Sequence, residues 1–255
     1  MSTPSPDHSP LLGIQAPAES SFRRRRFIFQ VKNDILTARE AVFLKYESIE
    51  PSIGSRAALS LDSDGEIEAR SVLINYNSVT QVFTVDMPTA IPSCHQPWIS
   101  DEFIRAGVVS GFLTLAENYD ISMSSNTRFN TFAAPYQMSF AVPNLYLEPS
   151  GFPLPTIVFV SGFSQLYPYL LMQKDVWLIG GAAHVNIVFI LKWSQDIFPR
   201  PLLGTPPQEI TIRRDELCGN AIPTGRKSSD VWRLSLERLR YRAEQAIRGQ
   251  GYVPA

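Results

Sequence analysis

Residues Pro155–Gln195, PTIVFVSGFSQLYPYLLMQKDVWLIGGAAHVNIVFILKWSQ, decide the fold. The first apolar run, near residues 156–161, lacks polar alternation and so predicts a central strand covered on both faces. A helix follows over about 165–178, with Leu166, Leu170, Leu171 and Trp177 on its core side. Ser164 is a suitable cap, Pro168 falls in the first turn where proline is tolerated, and Gly180 and Gly181 end the helix. Val185–Trp193 is a second buried strand, and a helical crossover makes the two strands parallel with a right-handed connection. Lys192 stands at the end of that second strand.

The remainder of the chain is long enough to build a full core around this unit. Its 255 residues are 44% hydrophobic and 18% charged, an ordinary globular composition. A formal net charge of −1 gives no overall attraction to nucleic acid or to an anionic membrane, so such binding needs a local basic patch. Cys94 and Cys218 have no metal-like spacing and read as reduced thiols of an intracellular protein, cytoplasmic or nuclear. The opening MSTPSPDHSP has no basic segment before an apolar run, so no signal peptide is predicted. No apolar stretch reaches membrane-spanning length, so no membrane partner is predicted.

Outward from the centre, residues 1–25 are predicted to be a disordered Pro/Ser-rich tail ending in the basic run Arg23–Arg26. Such a run suits a nuclear-import signal, a phosphate contact or a solvated flank. Residues 26–69 form a helical and loop region, with a helix near 34–46 drawn from Ile35, Leu36, Ala38, Val42 and Phe43. Leu61–Ala69 reads as a loop; its acids Asp62, Asp64, Glu66 and Glu68 lack the downstream ligands of a calcium loop.

A core over 70–215 begins with the hairpin SVLINY/QVFTVD at 71–76 and 81–86. The prolines of Met87–Pro97 exclude a regular helix there, and Ser100–Glu117 is predicted as one helix capped by Ser100. Its apolar face is drawn from Phe103, Ile104, Val108, Val109, Phe112, Leu113 and Leu115. Strand-like pieces follow at 120–123, 131–133, 137–141, 145–147 and 209–213. Residues 216–255 close the chain with an Arg-rich helix over Ser229–Arg248, whose arginines suit either phosphate binding or a solvated face.

No ordinary catalytic motif is strong. His8, His95 and His184 stand apart, no Cys/His cluster has metal spacing, and GFS around Ser161–Ser164 lacks the G-x-S-x-G elbow. Four stretches nevertheless occur in a telling order: QVFTVDMP; AVPNLYLEP; PTIVFVSGFSQLYP with KDVWLIGG; and HVNIVFILKWS. Over roughly residues 70–213 this order resembles the fungal PD-(D/E)XK nuclease-like family, a divergent branch of the restriction-endonuclease-like fold.

The resemblance implies an α/β (α+β) fold, a mixed central sheet flanked by helices. Active members would use an Asp from a P-D turn, a Glu from the following strand and a nearby Lys around Mg²⁺. Those acid positions fall on Asn144, in Pro143-Asn144, and on Val160, and the lysine has its counterpart in Lys192. Ser164 and Gln165 are candidate phosphate-binding residues at the helix start.

The resulting expectation is a degenerate nuclease-like protein without cleavage activity, retaining nucleic-acid or protein binding. It carries no metal site and needs no cofactor; Mg²⁺ would enter only if nuclease activity survived. The alternatives are an active Mg²⁺-dependent nuclease with carboxylates relocated to Glu148 or Asp196, and an accessory protein linked to fungal metabolic genes.

Overall fold

The computed structural model describes residues 17–40, 42–87, 93–163, 166–193 and 204–251. They form a mixed α/β architecture with three small sheets. An N-terminal layer consists of α1 (Pro17–Thr37), β1 (Phe43–Tyr46), α2 (Pro51–Asp62), α3 (Gly65–Glu68), β2 (Leu73–Asn77) and β3 (Val82–Asp86). Its sheet runs β1-β3-β2, antiparallel throughout. Phe27, Val31 and Ile35 of α1 recur at the helical period and pack with Ile53, Ala57 and Leu61 of α2 over this sheet. Gly54 is required where α2 crosses β2, because a Cβ there would lie 2.3 Å from the ring of Tyr76.

The hairpin predicted at 71–86 is present. Asn77 shapes its turn by accepting the amides of Val79 and Thr80 on Oδ1 at 3.0 Å each. Of the expected disordered tail over 1–25, residues 1–16 lie outside the described residues, and the expectation for 17–25 is corrected: they belong to α1, whose buried stripe offsets its ordering entropy. The predicted helix near 34–46 is also corrected. The helix stops at Thr37, and Phe43–Tyr46 pair with β3 from Phe43↔Asp86 to Tyr46↔Phe83. Tertiary pairing wins there over a weak local helical pattern. In the stretch 61–69, read as a loop, α2 ends at Asp62 and the Asp64 side chain caps the short α3.

The second part holds α4 (His95–Val108), α5 (Leu115–Asp120), β4 (Ile121–Ser124), β5 (Leu145–Pro149) and β6 (Ile157–Phe163). It continues with α6 (Tyr167–Asp175), a π-helical turn at Val176–Gly180, and β7 (Ile187–Trp193). The order is β4-β5-β6-β7, with β4/β5 and β5/β6 antiparallel and β6/β7 parallel. The expected strand–helix–strand unit is therefore present and parallel. β6 is central and buried, whereas β7 is only half-buried because it lies at the edge of the described sheet. Gly180 lets the π turn approach the 132–136 segment, where a Cβ would lie 2.8 Å from Cβ of Tyr136.

The single helix predicted over 100–117 is two helices, broken where Gly111 takes φ +65°. Helix α4 starts earlier than expected and accommodates Pro97 in its first turn. Ser100 does not cap it; its hydroxyl donates back to the Gln96 carbonyl at 2.9 Å. Ile104, Val108, Val109 and Leu115, placed on the apolar face by the sequence, are exposed. Residues 131–133 form no strand, and residues 137–141 contribute only isolated bridges through Phe140 and Ala141.

The last elements are β8 (Glu209–Arg213), α7 (Arg214–Cys218), β9 (Val231–Ser235) and α8 (Leu236–Gly249). The helix predicted from Ser229 begins only at Leu236. Val231–Ser235 alternate instead, burying Trp232 and Leu234, and pair antiparallel with β8. The expected boundary at 215/216 thus falls between two strands of one sheet. This pair and α4 cover one face of the central sheet through Trp98, Phe103, Phe159, Ile212, Trp232 and Leu234. Leu170, Val176, Trp177 and Phe129 cover the other face over Val158 and Val160. Both cysteines are free and buried, and burial pushes the Cys94 thiol up to about 12.

Candidate functional site

The positions singled out by the family resemblance lie at one end of β5 and β6. Leu145 pairs with Phe159, so one step further along the antiparallel ladder Asn144 stands opposite Val160. On the parallel side Val160 pairs with Ile190, and Gly162 pairs with Lys192. Three residues far apart in sequence are thus brought to neighbouring register positions.

Their side chains are occupied elsewhere. Asn144 is 6% exposed, and its Oδ1 accepts the Ser161 amide at 2.8 Å. Its own amide donates to the Phe159 carbonyl at 3.1 Å, and its carbonyl accepts from Gln96 Nε2 at 2.9 Å. The asparagine therefore prolongs the β5/β6 ladder with its side chain, satisfying a buried backbone donor. Val160 is fully buried and packs in the cluster of Tyr146, Leu170 and Trp177. The space above Gly162 is filled by Leu166 and Leu170, whose atoms would meet a Cβ at 3.4–3.6 Å. Lys192 does not occupy that space. It is exposed and carries its ammonium 5.0 Å from the centroid of the Tyr167 ring, a cation–π contact at the surface. Ser164 and Gln165 lie outside the described residues.

A magnesium ion asks for several hard oxygen donors, with carboxylate charge among them. Here the one neutral oxygen, on Asn144, already accepts a backbone amide, and Val160 and Gly162 offer no donor. Glu148 lies opposite Ser122, beside the Thr156 end of β6. Thr156 is six residues from Gly162, so Glu148 is about 20 Å from the Lys192 end. Burial raises the Glu148 carboxyl, which also disfavours a charged ligand. Among the described residues no group of three or more His, Cys, Asp or Glu is placed to hold a metal. Asp196, the other relocated candidate, lies outside them. The described residues around Lys192 do not fit the metal.

A second polar site escaped the sequence reading. Across β1-β3-β2, Lys45, Thr84 and Asn75 are in register and share a face, with Asn77 and Asp86 two residues along. Helix α6 lays Tyr169, Met172 and Gln173 over this row, making a cleft lined also by Asn75, Asn77 and Thr84. Asn75 Oδ1 accepts the Val142 amide at 2.9 Å and so ties the row to the second part of the fold. Lys45 lies 5.3 Å from the Tyr169 ring centroid, and hydrogen bonds to Glu47 and Tyr169 raise its ammonium above the ordinary value. The available signal was the period-two recurrence of polar residues at 75, 77, 84 and 86, a pattern that equally describes a solvated strand face.

Asp86 is the most perturbed carboxyl on this face. Burial pushes it up to about 6 from 3.8, and no ion pair reaches it among the described residues. Because the folded value is raised, burying the ionised form costs stability above that pH, and the cost fades as pH falls from about 6 toward 3.8. Asp86→Asn is therefore expected to stabilise the protein by about 2 kcal/mol near neutral pH, with the gain vanishing near pH ~4. Urea midpoints at the two pH values check this; an equal gain at both would mean the carboxyl is not perturbed.

Three of the four arginines of α8, Arg238, Arg240 and Arg242, are engaged within the fold. Arg238 grips the buried Glu102 at 2.6 and 2.7 Å and Arg242 holds Asp101, while Arg233 on β9 reaches Glu209 of β8 at 3.4 Å. Arg240 bonds Glu237 at 3.1 Å and also Gln208. Arg238 and Arg242 clamp α8 to α4, and Arg240 ties it to Gln208 beside β8. No helix among the described residues is long and apolar enough to cross a membrane. In comparisons with known proteins, the chain matches no family model, no curated protein and no solved structure.

Proposed function

We propose that this chain is a nuclease-like protein that holds nucleic acid without cutting it. The observation that carries the reading is the use made of Asn144: its side-chain oxygen, at the position where the resemblance implies a metal-binding acid, accepts the Ser161 amide. The mixed sheet supports the same reading, as does the convergence of positions 144, 160 and 192 across three adjacent strands. The apolar packing around Val160 speaks for a scaffold in which the acid has been replaced and its space closed.

Incubation with supercoiled plasmid and with single-stranded DNA, in Mg²⁺ and in Mn²⁺, is expected to give binding that weakens as salt rises and no cleavage. Cleavage above background that disappears in Lys192→Ala would establish a nuclease with relocated acids. Absence of any binding at about 50 mM salt would overturn the nucleic-acid reading.

A further inference from the structure

Helix α1 turns two large aromatic rings toward solvent on the side away from its core stripe. Phe27, Val31 and Ile35 are buried. At about 100° per residue, Phe22 and Phe29 fall on the opposite side of the helix, and they are 66% and 74% exposed. Arg25 and Arg26 are also exposed and, on the same helical spacing, flank the two rings on either side.

The charges around them are unevenly engaged. Arg23 is held by Glu19 at 2.8 Å and Glu50 at 3.8 Å, and Lys32 by Asp64 and Glu66 at 2.6 and 2.5 Å. Asp34 accepts the Tyr46 hydroxyl at 2.7 Å. Among the described residues no acid pairs with Arg25 or Arg26. With Arg23 and Lys32 engaged by acids, Arg25 and Arg26 are the exposed positive charge left on this face, in a chain whose formal net charge is −1. This is the local basic patch that the overall charge does not provide.

We propose that the outer face of α1 binds single-stranded nucleic acid, with Arg25 and Arg26 on phosphates and Phe22 and Phe29 stacked on bases. The inference rests on the nucleic-acid reading above and names its surface. Arginine supplies sequence-independent phosphate affinity, and exposed rings supply stacking that any base satisfies. The two rings are two helical turns apart, about 10 Å along the axis, so they address separate bases. A duplex hides its base faces and could use only the arginines. An in-plane membrane helix buries a continuous apolar face, whereas here Gln30 and Asn33 are exposed beside the two rings.

Fluorescence anisotropy with a labelled oligo-deoxythymidine and with a duplex of equal length tests the proposal on the full chain. Arg25→Ala/Arg26→Ala should reduce the salt slope by about 1.4, the share of two phosphate contacts on a single strand. Phe22→Ala/Phe29→Ala should weaken single-strand binding about fivefold or more per ring and leave the slope unchanged. All four side chains are exposed, so melting temperatures should match the parent. If both variants bind like the parent, α1 is not the surface, although the nucleic-acid reading stands. If the parent binds no single strand at low salt, both fall. Tighter binding to the duplex, or capture by phosphatidylserine vesicles without binding to the oligonucleotide, overturns the proposal.

Discussion

Val160→Glu is expected to destabilise the protein by about 4 kcal/mol or more instead of creating a metal site. Val160 is fully buried, and the cluster around it, with Tyr146, Leu170 and Trp177, contains no cation to pair with a carboxylate. A glutamate there would either lose its hydration or stay protonated, and it would also overpack the space left by a smaller side chain. The loss is a large part of the roughly 5–15 kcal/mol that keeps a domain folded. Because the introduced carboxyl would be raised by burial, its penalty should shrink in acid as the group becomes neutral. Urea titrations with and without millimolar MgCl₂ measure both effects. A variant as stable as the parent, or one whose midpoint rises with Mg²⁺, would mean that the position opens to a metal, and the non-cleaving reading would be wrong.

The second large effect concerns Glu117. This buried carboxylate accepts the Thr114 amide at 2.7 Å in a capping box and binds Arg214 and, at 3.3 Å, Arg226. Arg214 is itself fully buried, lies 4.3 Å from the Phe112 ring centroid, donates to the Phe112 carbonyl and reaches Asp230 at 3.3 Å. Glu117→Ala should cost about 3–5 kcal/mol, because it strands a buried guanidinium with only a carbonyl and a half-exposed acid. Removing both charges, as in Glu117→Ala/Arg214→Met, should cost less than the two single changes added together.

Burial alone would raise the Glu117 carboxyl, but the bonds with Thr114 and the charges of Arg214 and Arg226 outweigh it and hold it below 4.5. A lowered folded value means that this stability is fully present above the ordinary value and is lost as pH falls through the folded one. The parent should therefore weaken in acid more steeply than the Glu117→Ala variant. Denaturation midpoints across that range check it, and parallel curves would dismiss the ion pair as a source of stability.

The parts of this fold that were legible are those whose signal is local. The 71–86 hairpin, the 156–193 unit and the strand at 209–213 each carry their own periodicity, and all three are present. The errors fall where distant partners decide. Phe43–Tyr46 and Val231–Ser235 are short strands whose pairing with β3 and β8 supplies what their sequences lack. Around Gly111, the apolar residues assigned to a core face include Val108, which is 81% exposed. Hydrophobicity alone does not say which side of a helix has a neighbour.

The same division holds for the site. The strand–helix–strand unit, the absence of acids at 144 and 160 and the presence of Lys192 are matters of residue identity or short-range pattern, and so were legible. Long-range packing settles that Asn144 serves a backbone amide, that Val160 faces an apolar cluster, and that Lys192 rests on Tyr167. It alone raised Asp86 to about 6 and set Phe22 and Phe29 outward between arginines. The reason is physical: donors, desolvation and exposure depend on which distant segments become neighbours, and local periodicity carries no record of that.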